Sequence, residues 1–359
     1  MRLGLNLGYW GTTGQNGTDD LDAMTILAKE AHRQDYAVAW LAEAYGSDIP
    51  SLAGYLAAHT PGMGWGSAIM QIPARTPAMT AMTAATLDRI TGGKFHLGLG
   101  VSGPQVSEGW HGVRFDDPLG RTREYVQIIR AAFARKNVVH DGVHFQLPLP
   151  DGPGKSLRLL LLPERAHLPI YLASIGPKNL RLTGEIADGW LGIFVSPEYV
   201  GEQLSAIRTG RERGGHDGSD PMEGFDVSAS VSVSVDDDLD TAADRLRSNA
   251  ALYMGGMGSR DKNFYNKLAV RMGFEQEAAK VQDLFLDRQH REAAAAVPRD
   301  FIDQTSLIGP AGRIAERLHR YAEAGVSTIN VAPVGESLQD RVASVRLMRT
   351  LLVREGLAT

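Results

Sequence analysis

Eight times along its 359 residues this chain passes from a short, apolar, strand-like run to a stretch of helical character. The strand candidates are Leu3–Leu7, Val38–Ala42, Trp65–Met70, Phe95–Val101, Pro169–Ala173, Gly189–Phe194, Phe225–Val235 and Thr328–Val331. Several of them are apolar throughout, as strands covered on both faces must be. Between them lie amphipathic helices. One carries the stripe Leu21, Met24, Leu27, Ala28 and Ala31 behind Asp19 and Asp20; another carries Ile314, Leu318 and Tyr321 and closes at Gly325. Thr76-Pro77 reads as an N-cap and first helical position, Gly92-Gly93 as that helix's end, and the last helix runs from about Gln339 to Arg354. Eight strand–helix units predict an α/β fold, a closed (β/α)8 TIM barrel. An open doubly wound sheet usually needs fewer units.

A plain barrel takes roughly 250 residues, so about a hundred remain for insertions. The first is expected over 136–166, where Val138–Leu147 reads as a hairpin around Asp141-Gly142 after the fourth helix. The second is expected over 255–305 as a helical lid after the seventh strand, with Gly255, Gly256 and Gly258 as its hinge. No boundary between separate domains is visible, so 1–359 reads as one domain.

Composition excludes several functions. A net charge of −5 gathers neither nucleic acid nor an acidic membrane surface. The absence of cysteine excludes disulfides, thiolate catalysis and cysteine-ligated metals, and fits a cytoplasmic protein. No apolar run approaches the roughly 20 residues that span a bilayer. The ten histidines make no metal-binding spacing, so no metal is expected; His140 and His144 read as solvated beside the hairpin turn.

The chemistry is expected where the strands exit. Leu168–Ala173 is a buried strand that turns through Ser174, Ile175 and Gly176 into a helix opening on Pro177. Those amides stand at a positive helix end and suit a phosphate. An ordinary strand-to-helix turn is the competing reading, since Gly309-Pro310 opens a helix in the same way. Gly98–Gly103 matches G-x-G-x-x-G, but Pro104 follows, and Gln105 to Pro118 does not read as a helix. A dinucleotide fingerprint is therefore not expected; a flexible exit loop carrying Gln105, Glu108, Trp110 and His111 is. Trp110 and His111 either take part in chemistry or merely cover the mouth. Glu43 ends the second strand and points into the mouth, as a ligand or proton-transfer group, or else as an ion-pair partner of Arg75. Ser67–Pro77 leaves the third strand through a bulge, and Tyr9-Trp10 at the first exit suits a flat ligand.

The segments GSAIMQIPARTPAMTAMTAATLD, GLGVSGPQVSEGWHG, LASIGPKN with GEIADGW, and SLIGP with AGVSTINV occur here in order and at matching spacing. On them the chain resembles, over nearly its whole length, the luciferase-like flavin and deazaflavin oxidoreductases, most closely the branch using coenzyme F420. The resemblance implies a barrel with the cofactor ring at its C-terminal mouth and the cofactor phosphate on the amides of Ser174, Ile175 and Gly176. It implies a non-proline cis peptide at Ser67–Ala68, behind the ring. Asn6, Glu43, Ser67, Ala68, Val101, Ser102, Ala173 and Phe194 complete the expected cofactor site. Tyr9, Trp10 and Trp110 line the substrate pocket, and Glu43, Gln105 and His111 are the catalytic candidates. In the sugar-phosphate dehydrogenase branch a histidine follows the acid; Ala44 stands here, which argues against that reaction.

The expected function is hydride transfer between F420 and a small organic substrate, in a homodimer. An FMN-dependent monooxygenase using oxygen and a non-catalytic flavin binder are the alternatives. A cofactor-free lyase or isomerase would need a lysine or paired carboxylates at strand ends, and neither is seen.

Overall fold

The computed structural model describes residues 1–11, 21–216 and 218–359. Among these, eight parallel strands close on themselves: β1 (Arg2–Gly8), β2 (Val38–Leu41), β3 (Trp65–Ser67), β4 (Phe95–Gly100), β5 (Ile170–Ala173), β6 (Gly189–Ile193), β7 (Asp226–Val235) and β8 (Thr328–Val334). Arg2 pairs with Thr328 at one seam and Gly189 with Asp226 at another, so the sheet has no open edge at either place. This is the TIM barrel the alternation predicts.

The wall helices are α1 (Leu21–Arg33), α2 (Ile49–His59), α3 (Pro77–Ile90), α4 (Pro118–Phe133), α5 (Pro177–Ile186), α6 (Val200–Arg213), α7 (Leu239–Ala251), α8 (Ala311–Glu323) and α9 (Leu338–Arg354). Their apolar stripes face the sheet, with Met24, Leu27, Ala28 and Ala31 of α1 and Leu3, Leu5 and Leu7 of β1 in one core. The Thr76 hydroxyl accepts the Met79 N–H and Asp238 accepts the Asp240 N–H, so both helices start on side-chain caps. Asp19 and Asp20, read as the start of α1, lie outside the described residues.

Two elements differ from the sequence expectation. Strand β7 is long enough for its second half to pair with an extra strand, Ser306–Gly309, read from sequence only as the approach to a helix. The exit of β4 is helical over Pro104–Gly109, because Pro104 occupies the first position behind an extended Gly103. The hairpin forms with His140 opposite Leu147. Its histidines are not solvated: side-chain exposure is 16% for His140 beside Glu124 and 9% for His144 beside Asp117. Glu124 takes the N–H groups of Val143, His144 and Phe145, which hold its carboxyl below the usual range despite its burial.

The barrel interior is layered. At the floor Asp226 accepts from Arg2 (2.9 Å), Tyr171 (2.9 Å), Ser327 (2.6 Å) and Thr328 (2.8 Å). Above it the Trp40 indole donates to Asn330 (2.9 Å), whose amide donates to Ser228 (2.8 Å). Gly66 has to be glycine, since a Cβ there would lie 2.4 Å from the Trp40 ring. Val38, Trp40, Tyr171 and Leu191 form the apolar layer, and Ala68, Ile69 and Ala173 pack half-buried against it towards the mouth.

Four short helices, Phe264–Arg271, Glu275–Leu286, His290–Ala296 and Arg299–Thr305, follow α7 and pack with it around a second core containing Met254, Phe274, Val281 and Phe301. The glycines expected as a hinge are packed tight. A Cβ on Gly255 or Gly256 would come within 2.5 Å or 2.4 Å of the Phe285 side chain.

Candidate active site

All the expected site residues belong to exits of strands β1 to β6, at the C-terminal end of the barrel, where this fold places its chemistry. Their surroundings sort them into three groups.

The first group is held by the scaffold. Glu43 is buried, and its two oxygens take four N–H donors: Arg75 at 2.6 and 2.8 Å, the Ile49 amide at 3.0 Å and the Gln71 amide at 3.4 Å. The ion pair with Arg75 is thus the reading the geometry supports. Glu43 ties the exits of β2 and β3 together. The Ser67 hydroxyl is fully buried and spent on Gly98, donating to its carbonyl (2.8 Å) and accepting from its amide (2.9 Å), so it does not face a ligand. Asn6 donates to Ser230 (2.5 Å) and accepts from Gly8 (2.9 Å). Phe194 turns to the second core, 5.5 Å from Tyr253 and 5.4 Å from Phe301, rather than walling a ring at the barrel axis.

The second group forms a platform and a turn. The cis peptide is Ala68–Ile69, one bond later than expected. The Ala68 N–H still donates to the Leu41 carbonyl (2.7 Å), so strand pairing runs through Ala68 and the bulge begins after it. Ala68, Ile69 and Ala173 present a small apolar surface beside Ser174–Gly176. Trp190 donates to the Ser174 carbonyl (2.9 Å) and Thr183 donates to its hydroxyl (2.9 Å), which fixes the turn. Among the described residues the amides of Ile175 and Gly176 have no acceptor, and a Cβ on Gly176 would meet nothing within 4 Å. Those are two free donors at a helix N-terminus. Val101 and Ser102 are half-buried at the β4 exit, Ser102 in the left-handed region (φ 60°).

The third group is polar atoms shut away from water without a partner. They are the Trp10 indole N–H, Ser47 Oγ, Gln71 Oε1 and His111 Nε2, one from each exit of β1, β2, β3 and β4. Buried polar atoms are normally paired; others without a partner, such as Trp65 Nε1, His96 Nδ1 and Ser234 Oγ, lie elsewhere, but these four fall on successive exits, where a further molecule would meet them. Ser47 and Gln71 were not singled out from the sequence. The polar stretch after β2 and the bulge after β3 were the only signals. Gln105 and Trp110 sit exposed on the short helix and just past its end, outside this arrangement.

The second insertion reaches several exits. Phe264 packs 6.3 Å from Phe115 of the β4 exit loop, and Arg271 donates to the Ile175 carbonyl (3.3 Å). The Tyr9 and Tyr253 hydroxyls act on one another electrostatically. Arg260, just past the insertion's glycines, is paired with Asp283.

The family of luciferase-like monooxygenases matches residues 1–328. A Mycobacterium tuberculosis protein named, provisionally, as a coenzyme F420-dependent oxidoreductase is 39% identical over 351 residues, covering 96% of this chain and 99% of its own length. The 5,10-methylenetetrahydromethanopterin reductase of Archaeoglobus fulgidus is 27% identical over 332 residues, covering 90% and 93%. Among solved structures, the coenzyme F420-dependent tetrahydromethanopterin reductase from Methanopyrus kandleri superposes with a TM-score of 0.78 at 21% identity over 98% of both chains. An F420-dependent secondary alcohol dehydrogenase, solved with an F420–acetone adduct, gives 0.75 at 17% identity over 98% and 97%. The chain therefore belongs to the luciferase-like monooxygenase family, on its own barrel geometry and on a match that spans most of its length.

Proposed function

We propose that this protein is an F420-dependent oxidoreductase that passes hydride between the deazaflavin and a small neutral organic substrate. The observation that carries the reading is the adjacency of two features. The apolar platform Ala68, Ile69 and Ala173 suits a flat ring, and the free Ile175 and Gly176 amides beside it suit a phosphate. The four orphaned atoms on the exits of β1 to β4 are polar groups that a polar-edged ring would satisfy. Bound F420 supplies the two-electron chemistry. The residues of this chain bind, orient and exclude water. The Glu43–Arg75 pair keeps the β2 and β3 exits in register, the Ser174 turn anchors, and the 255–305 segment covers the mouth from the β7 side.

The finer expectations belong to the same reading: a cytoplasmic enzyme that pairs with a second copy. Met79, Met82 and Ile90 of α3 and Tyr55 of α2 are exposed, and Arg89 of α3 holds the carbonyl of exposed Leu162, next but one to exposed Leu160. An apolar face of that extent suits self-association.

The test is titration of the purified protein with F420 and with FMN side by side, read by fluorescence. Saturable F420 binding without FMN binding supports the reading. FMN binding without F420 binding would replace it with oxygen-using monooxygenase chemistry.

A further inference from the structure

Four phenols from separate segments meet where the second insertion touches the barrel. Tyr9 leaves β1 and Tyr45 leaves β2, while Tyr253 lies on the turn that leads into the insertion and Tyr265 within it. Tyr253 lies edge-on to Tyr265 with ring centroids 4.8 Å apart, and edge-on to Phe194 at 5.5 Å. The groups acting on each hydroxyl include the other phenols: Tyr253 and Tyr45 act on Tyr9, and Tyr265, Tyr9 and Tyr45 act on Tyr253.

The backbone under Tyr253 is specialised. Leu252–Gly256 is a π-helical turn, a form that recurs at functional sites. Gly255 and Gly256 allow it to lie against Phe285. Asn263 is fully buried and entirely committed to the turn. Its amide donates to the carbonyls of Tyr253 (2.9 Å) and Met254 (3.0 Å), and its oxygen accepts from the amides of Tyr265 (2.9 Å) and Asn266 (3.0 Å). One side chain thus fixes Tyr253 relative to Tyr265. A purely apolar latch would not need hydroxyls, and three of these four rings are only half-buried.

We propose that Tyr253 is the proton donor to the oxygen of a neutral carbonyl substrate, aimed by the π-turn and held there by Asn263. The proposal rests on the hydride-transfer reading above. Hydride from reduced F420 forms the new C–H bond as the carbonyl π bond opens. The electron pair left on oxygen takes the Tyr253 proton, so a ketone becomes a secondary alcohol while F420 is oxidised. Tyr253 regains a proton through Tyr9, with the exposed Tyr45 as the nearest phenol to solvent. Burial and neighbouring phenols raise Tyr253 and Tyr265 above the ordinary phenol range, so both rest protonated. Asn263 is a positioning residue, since it acts through Tyr253.

The experiment compares wild type with Tyr253→Phe, which keeps the ring and removes the hydroxyl. Reduced F420 is mixed with cyclohexanone and acetophenone, and the appearance of oxidised F420 is followed. In parallel, the carbonyl stretch of acetophenone is recorded on the protein saturated with oxidised F420, together with F420 affinity and melting temperature. Expected is a loss of about 100-fold or more in kcat, a carbonyl band shifted to lower frequency only in wild type, and unchanged F420 affinity and melting. Retention of kcat within threefold overturns the assignment, as does a Tyr253→Phe protein that melts early and binds F420 poorly, the mark of a mechanical latch. Failure of an F420-binding wild type to bind or reduce either ketone also overturns it. Failure to bind F420 at all would instead remove the hydride-transfer reading beneath it.

Discussion

The two ends of the barrel differ in how their polar groups are held, although His96 Nδ1 and Trp65 Nε1 are buried without a partner below the mouth as well. At the floor Asp226 takes four donors from three strands and a loop, and Trp40, Asn330 and Ser228 form a chain with both partners of each bond present. At the mouth Trp10, Ser47, Gln71 and His111 each bury a polar atom with no partner, and among the described residues the Ile175 and Gly176 amides have no acceptor. A satisfied network rigidifies a core, whereas an unsatisfied one costs stability unless something else completes it. The floor therefore reads as structure and the mouth as function, in one barrel built from the same eight strands.

Substitutions at the floor should cost stability and leave cofactor affinity intact in the folded fraction. Trp40→Ala removes the largest side chain of the interior layer and leaves Asn330 without its donor. Its expected cost is about 3–5 kcal/mol, measured by chemical denaturation. An effect below 1 kcal/mol would break the comparison.

His96 provides the next test. Burial, helped by nearby Arg165, pushes its imidazole down to about 4, so it stays neutral in the folded barrel. Its unfolded value is about 6.5. Because the folded value is the lower one, the unfolded chain binds the extra proton first. The contribution is complete above about 6.5 and is lost as pH falls towards 4, by roughly 2–3 kcal/mol. The slope of stability against pH over that window should flatten in His96→Gln. An unchanged slope would remove His96 from the floor's account.

Mouth substitutions should do the reverse. Gly176→Val meets no atom and has an extended backbone compatible with a side chain, so melting should hold. F420 affinity should fall at least about tenfold, near 1.4 kcal/mol, because the branched side chain fills the space before the free amides. Trp10→Phe deletes one orphaned donor. It should leave stability unchanged or slightly raised and weaken F420 binding by about fivefold, within the range for one hydrogen bond.

Much of the barrel was legible because its strands are continuous apolar runs bounded by glycine and proline, and because caps such as Thr76 and Asp238 declare themselves locally. The Ser174–Gly176 turn was visible for the same reason: its geometry is set within a few residues. What stayed hidden depends on distant partners. Whether Glu43 faces a ligand or Arg75 is decided across the 32 residues separating those two side chains. The strand Ser306–Gly309 is four residues long and ends in a glycine–proline pair that reads as a helix start. The short helix after Gly103 was obscured by the glycines around it. Tyr253 was invisible because a π-turn following α7 carries the periodicity of an ordinary helix end.

The most direct test of the central claim is a crystal structure of the protein with F420. The account predicts the deazaflavin ring on Ala68, Ile69 and Ala173, with a phosphate oxygen within hydrogen-bond distance of the Ile175 and Gly176 amides. A phosphate lodged elsewhere, such as before α8, with those two amides still unpaired, would contradict it.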